Sequence, residues 1–146
     1  MATSYASTVI DAPADEVWAR VRDFNGLSDW HGKLVVSSEI EDGRTGDQVG
    51  CVRNFTLANG ANLRERLLSH SDADRAYTYN FEKTPFDVDN YKATLRVTPV
   101  TDGGKAFVEW WTEFDCDRDK QDHWTEFFAN EVFQGGFDAL KTQFGG

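Results

Sequence analysis

The spacing of hydrophobic and polar positions changes period twice along this chain, from strand to helix near its start and from strand to helix again near its end. Ser4 to Ile10 carries β-branched residues and stops at Asp11-Ala12-Pro13, which predicts a first strand. Beyond it Val17, Trp18, Val21 and Phe24 share one helical face. Asp11 is placed to cap that helix, Pro13 sits in its first turn, and Asp15 and Glu16 suit the positive end of its dipole. Asn25-Gly26 ends it, and Leu27 to Trp30 predicts a short second helix ahead of His31-Gly32. From Leu34 to Asp117 the strand period holds, broken by turns at Asp42-Gly43, Asn59-Gly60, Ser71 to Asp74, Thr84-Pro85 and Asp102-Gly103-Gly104, so an antiparallel meander is expected. Asp119 to Phe144 reads as a long helix. At about 100° per residue Trp124, Phe127, Phe128, Glu131 and Val132 point one way, whereas Phe133, Phe137, Leu140 and Phe144 point nearly opposite. The stripe changes face near Gly135-Gly136, which fits either a kink at paired glycines or a straight helix with a wide stripe.

The turns also predict which residues face inward. Asn59-Gly60 is a strong signal for a two-residue hairpin loop, and with those two at its centre Ala58 pairs with Ala61. Leu63 then faces Thr56, Glu65 faces Asn54 and Leu67 faces Val52 on one side, while Arg64 and Arg66 share the other with Phe55, Arg53 and Cys51. Arginines prefer water, so the leucine side is expected to face the long helix and to carry Glu65 and Asn54 inside. By the same alternation Tyr77, Tyr79, Phe81, Tyr91, Trp110, Thr112 and Phe114 turn inward. Trp111 turns outward, either as surface packing or as a contact in a homodimer.

Composition narrows the function. With 146 residues, no repeat and no linker, residues 1–146 are expected to form one domain. The net charge of -10 repels nucleic acid and anionic membrane surfaces, so neither is an expected partner. No basic leader and no membrane-length apolar run is read, and a soluble, cytoplasmic protein is expected. Cys51 and Cys116 lack CxxC spacing and are expected to be free thiols; the three histidines share no ligand spacing, so no metal is expected. Nucleotide, dinucleotide and nucleophilic-hydrolase motifs are missing, and no cofactor is expected. An aromatic content of 14% suits stacking or a broad apolar pocket.

The order of strand, Ala12-Pro13-Ala14-Asp15-Glu16-Val17-Trp18 helix, Asp29-Trp30-His31, meander and long final helix resembles the START/polyketide-cyclase superfamily, abbreviated SRPBCC. Its bacterial polyketide cyclase/dehydratase-like branch is matched at Gly50-Cys51-Val52-Arg53, Gly60, Arg64-Glu65-Arg66-Leu67-Leu68, Tyr91 to Val97 and Val108-Glu109-Trp110, over about Ser4 to Phe144. The resemblance implies an α+β helix-grip fold: a curved seven-stranded antiparallel sheet wrapped around a long C-terminal helix, with two short helices after strand 1. It also implies a cavity beneath that helix for an apolar or aromatic small molecule. It does not fix one chemistry, because such folds include carriers, receptors, cyclases and lyases.

Within such a cavity Glu65 is the first candidate for proton transfer, since desolvation raises a carboxyl pKa toward neutrality. The other reading ties Glu65 to a neighbour such as Arg53 as a structural pair. His31 is a second acid-base candidate near the cavity mouth, or else an exposed loop histidine. Tyr79 and Tyr91 can donate to a developing enolate or phenolate oxygen. Trp30, Arg53, Asn54, Tyr91, Trp110, Thr112, Trp124 and Phe128 complete the expected ligand-binding set, with plain core packing as the alternative for the aromatics. The expected function is cofactor-independent cyclisation, dehydration or lyase chemistry on an aromatic or polyketide-like substrate; the alternative is a non-catalytic carrier or sensor.

Overall fold

The computed structural model describes residues 1–145. Seven antiparallel strands form one curved sheet in the order β1-β7-β6-β5-β4-β3-β2, with β1 at Ala2–Ile10, β2 at Val35–Ile40, β3 at Val52–Leu57, β4 at Asn62–Ser71, β5 at Ala76–Lys83, β6 at Asp89–Val100 and β7 at Lys105–Asp115. Helices α1 (Ala14–Val21) and α2 (Leu27–Trp30) follow β1 and bridge to the far edge of the sheet. The chain therefore has the helix-grip fold. α1 starts at Ala14 with Pro13 as its N-cap residue and no side-chain cap, so Asp11 does not have the capping role expected of it.

The C-terminal helix grips the concave face, and its middle is not α-helical. A 3₁₀ turn at Arg118–Lys120 leads into α3 (Gln121–Glu126), a π-helical stretch spans Phe127–Gln134, and α4 covers Gly135–Phe144. This resolves the change of face in the sequence. In a π-helix residues five apart align, so Phe128 and Phe133 share one side although an α-helix would separate them. Both are buried, as are Phe137 and Leu140 one and two turns further on. The π stretch, not a glycine kink, brings two apolar stripes into register. Gly135 and Gly136 keep helical backbone, and the second of them has a packing role: a Cβ on Gly136 would stand 2.9 Å from Trp110 Cζ3 and 3.0 Å from both Trp30 Cζ3 and His31 Cδ2. The missing side chain lets the helix lie directly on those rings. At the other end of the helix, Ser4 Oγ of β1 donates to the Thr125 carbonyl at 2.7 Å.

The β3–β4 hairpin differs from its predicted register by one residue. Leu57 N donates to Ala61 O at 2.8 Å, Gly60 N to Leu57 O at 2.9 Å, and the Asn59 side chain accepts from Ala61 N at 2.9 Å. The loop is thus the three residues Ala58-Asn59-Gly60, a turn closed by a left-handed glycine with φ 89°, as in three-residue hairpins with a bulge. A two-residue type I′ turn needs positive φ at Asn59 as well, and Asn59 does not adopt it. Arg53 therefore pairs with Glu65, and Asn54 with Arg64. The inward set on β4 stands as expected; the inward set on β3 is Arg53, Phe55 and Leu57. Asn54 and Thr56 turn outward, and Cys51, expected on the water side, is buried.

Because no atom lies within 4 Å of a Cβ built on Gly60, a substitution there tests backbone strain alone. Gly60→Ala is expected to destabilise the protein by about 1–2 kcal/mol and Gly60→Asn by clearly less, since asparagine tolerates the left-handed region. Urea unfolding of the two variants measures the difference, and equal losses would contradict the assigned turn.

Candidate functional site

The register of β3 against β4 puts a guanidinium and a carboxylate opposite each other under the C-terminal helix. Arg53 Nε donates to Glu65 Oε1 at 2.7 Å, Arg53 Nη2 lies 2.6 Å from the same oxygen, and Nη1 donates to the Phe24 carbonyl at 3.1 Å. The guanidinium is 1% exposed and the carboxylate 5%, so this is a buried ion pair. Aromatic rings surround it: the guanidinium carbon stands 3.8 Å from the Phe24 ring centroid, 4.7 Å from Tyr79 and 5.5 Å from Phe55. Such stacking suits a weakly hydrated planar cation.

Burial raises the Glu65 carboxyl above its ordinary value, and the charge and hydrogen bonds of Arg53 pull it back. Burial works against the charge of Arg53, but Glu65 beside it holds the guanidinium protonated more firmly than usual. A guanidinium does not titrate in proteins, so a proton on Glu65 would leave a lone buried cation. The pair is therefore ionised at neutral pH, and Glu65 is not a free base. The reading that tied it to Arg53 is the one the geometry gives.

Beside this pair lies a cavity of about 30 Å³, walled by Leu63, Phe55, Tyr79, Tyr91, Trp110 and Phe128 among others, with Glu65, Arg53 and His31 as its ionisable groups. That is room for one or two waters, whereas a dry space of roughly 150 Å³ admits benzene. Aromatic side chains fill the rest. Phe81 and Tyr91 stack at 3.8 Å, Trp110 and Phe133 at 4.8 Å, and Phe86 packs edge-on to Phe127 at 5.0 Å. Trp110 Nε1 donates to the Tyr79 hydroxyl at 3.1 Å. Burial pushes both Tyr79 and Tyr91 up, so they stay phenols.

His31 ends the α2 turn and is 2% exposed, which removes the exposed-loop reading. Its Nε2 meets the Val132 carbonyl of the π stretch at 2.7 Å. A carbonyl only accepts, so Nε2 carries the hydrogen and Nδ1, buried and without a partner, keeps its lone pair. Burial pushes its pKa below 6.5, against the raising effect of the Val132 bond. At neutral pH it is a neutral imidazole.

Of the expected site residues, Glu65, His31, Tyr79, Arg53, Tyr91, Trp110 and Phe128 meet around this cavity. Asn54 does not, because the one-residue register shift points it outward, where its amide donates to Glu41 Oε2 at 3.2 Å and its oxygen accepts from Asn62 at 2.8 Å. Arg53 moves the other way, from the expected water face to the cavity floor. Thr112 is buried but spends its hydroxyl on the Lys92 carbonyl at 2.9 Å. Trp30 backs His31 and Trp110 from outside the cavity, and Trp124 packs half-buried on Phe86 and Phe128. Trp111 lies half-buried beside Tyr5, with the Arg96 guanidinium 5.3 Å from its ring. The carbonyls of Phe24 and Val132, which fix Arg53 and His31, have no sequence signature. Among the described residues no cluster of three or more His, Cys, Asp or Glu is placed to hold a metal, and no helix is long and apolar enough to cross a membrane.

Two stability tests follow from these environments. Arg53→Met leaves the Glu65 charge buried alone and is expected to cost about 3–5 kcal/mol, whereas Arg53→Met combined with Glu65→Leu is expected to recover most of it. A double variant no more stable than the single one would contradict this. For His31 the native pKa lies below that of the unfolded chain, so in the intervening window the unfolded state binds the extra proton. The neutral ring's contribution is complete above 6.5, is lost as pH falls below 6.5, and levels off below the native value. Unfolding free energies of wild type and His31→Phe are expected to converge with acidification across that window; parallel curves would show that His31 does not titrate there.

Comparison with known proteins agrees with this architecture. The profile described as "Polyketide cyclase / dehydrase and lipid transport" matches residues 1–145. The protein XoxI from Bacillus cereus is 30% identical, with a TM-score of 0.87 over 99% of this chain and 96% of its own. A Thermobifida fusca protein is also 30% identical, with a TM-score of 0.88 over 99% of this chain and 94% of its own. Norcoclaurine synthase from Thalictrum flavum, solved in complex with dopamine and hydroxybenzaldehyde, shares the fold at 16% identity, with a TM-score of 0.77 over 97% of this chain and 84% of its own. No curated protein sequence matches at a significant level. With its whole length matched and its helix-grip fold in place, the chain belongs to the polyketide cyclase/dehydrase and lipid transport family.

Proposed function

We propose that this protein binds an apolar, planar small molecule between the sheet and the C-terminal helix, as a carrier or sensor. The observation that carries this reading is that the two charges at the cavity floor are paired with each other while the walls are aromatic and aliphatic. Arg53 is spent on Glu65 and Phe24, Trp110 on Tyr79, and His31 Nε2 on Val132. A paired floor orients a guest without needing to react with it. Binding displaces rings that now fill the space, and the guest replaces their contacts. The lipid-transport members named in the family description support the same use of the fold.

One observation favours a catalytic reading beside it. His31 Nδ1 is an unpartnered lone pair on a neutral imidazole that lines the cavity, and the Tyr79 hydroxyl, which accepts from Trp110, keeps its own hydrogen to donate. A base and a donor in one apolar space suit cofactor-independent cyclisation, dehydration or lyase chemistry on an aromatic or polyketide-like substrate. In that case His31, rather than Glu65, takes the proton.

Titration with 2-naphthol, followed by tryptophan emission and native mass spectrometry, is expected to show saturable one-to-one binding. Leu63→Trp, which fills the cavity, is expected to weaken it at least about tenfold, or 1.4 kcal/mol. Leu68→Trp, on the exposed side of the same strand, serves as the control for an added indole. Absence of saturable binding, or binding indifferent to Leu63→Trp, rejects the proposal.

A further inference from the structure

Walls a single side chain thick separate the inner cavity from the surface in two places: Phe81 and Tyr91 stand between it and a pocket at the β5–β6 turn, and a second thin wall lies beside α2. Outside it, between the segment after α2 and the C-terminal helix, runs a surface groove of about 570 Å³ edged by Asp29, Lys33, Glu131, Asp138 and Gln143. His31 and Leu34 line both this groove and the inner cavity. The geometry points to His31 and Leu34 as a door through which the ligand enters from the groove, latched by the bond from His31 Nε2 to the Val132 carbonyl. This inference rests on the binding role proposed for the inner cavity.

Three features make this wall the one that opens. The strands of the sheet are joined to their neighbours by backbone ladders, whereas residues 31–34 form a turn that leads into β2, an edge strand with a bulge between Val35 and Ser37. The door closes onto the π stretch of the helix, where the wider winding is less favourable than α-helix and such stretches mark functional sites. Closure also leaves His31 Nδ1 buried without a donor, a penalty that is relieved when the ring swings into the groove and meets water. The backbone of His31 and Leu34 is fixed by bonds to Leu27, Val35 and Ala58, so the moving parts are the side chains: one hydrogen bond holds the imidazole, and one orphaned acceptor pushes against it. Gly136 allows the fit: its lack of a side chain gives the imidazole its seat beside Trp30 and Trp110.

The door is tested with and without a ligand. In stopped-flow mixing with 2-naphthol, His31→Ala is expected to raise association and dissociation rates together by at least about tenfold. His31→Phe, which keeps a ring but loses the latch, is expected to accelerate both to a smaller degree and guards against a poorly folded alanine variant. Acceleration by Phe86→Ala greater than by His31→Ala would place the entrance at the other end of the helix and overturn the inference. The ligand-free measurement is hydrogen exchange of the Trp110 indole N–H, which faces the cavity and bonds to Tyr79. Both variants are expected to speed it at least about tenfold while the backbone amides of Leu95 and Val108 in the sheet centre keep their protection. Failure of 2-naphthol to bind with Trp110 exchange accelerated would reject the binding proposal and keep the door; unchanged Trp110 exchange in both variants rejects the door.

Discussion

The interior of this protein is organised around one buried charge that cannot be neutralised. Arg53 lies under the C-terminal helix with a guanidinium that stays protonated at any physiological pH, so everything around it must satisfy a cation out of water. Glu65 supplies the counter-charge from the facing strand, Phe24 supplies a carbonyl from the turn between α1 and α2, and the Phe24 and Tyr79 rings cover its faces. Three separate parts of the chain are thereby fixed to one side chain. Paired ions of this kind add little net stability compared with apolar residues of the same shape, but they punish any arrangement that separates them. A one-residue slip of β3 against β4 would expose Arg53 and strand Glu65, so the pair also holds the hairpin in register.

The C-terminal helix meets this floor through rings rather than through a smooth aliphatic stripe, and that explains its irregular winding. Phe128 must reach Tyr91 and Phe114 at one end of the sheet, while Phe133 and Phe137 must reach Trp110 further along. A uniform α-helix cannot present positions 128 and 133 to the same surface, whereas five-residue spacing does. The π stretch therefore exchanges good local hydrogen-bond geometry for tertiary contacts that large aromatic side chains can make. Its Val132 carbonyl is then in place for His31, so the winding that packs the core also builds the site.

The meander of strands, the turn positions and the inward tyrosines were legible in the sequence because they depend on short-range alternation and on turn residues, whereas the pairing of β1 with β7 joins the two ends of the sheet's chain path and has no local signal. The Arg53–Glu65 contact was not, for a specific reason: Asn59-Gly60 supports either a two-residue loop with both residues left-handed or a three-residue loop with only Gly60 left-handed. The preference of arginine for water then favoured the wrong register, since a fully buried arginine is uncommon and local pattern carries no sign of a counter-charge twelve residues away. Alanine at position 58 and a leucine at 57 already fitted the longer loop, which buries Leu57 and Phe55 where the shorter one would have exposed them. Asn54 was misplaced by the same slip. His31 was expected beside the cavity and lines it, but its partner is a backbone carbonyl 101 residues away, and no side-chain pattern encodes that.

The small size of the inner cavity follows from its own chemistry. A dry void of about 300 Å³, the lower end for ligand pockets, would cost on the order of 7 kcal/mol at roughly 24 cal/mol per Å³, comparable to the whole stability of a domain. Water is a poor filler for walls of leucine and phenylalanine, and the polar floor offers it few free partners. The rings of Phe81, Tyr91, Phe127 and Phe128 take up that space by packing on one another. A guest then gains only the difference between its own contacts and those it displaces, so shape, not buried area, decides what is held. The ionised floor sharpens this choice: Arg53 and Glu65 cancel as a net charge, and an ionic guest would enter apolar surroundings with no unpaired counter-ion to meet it.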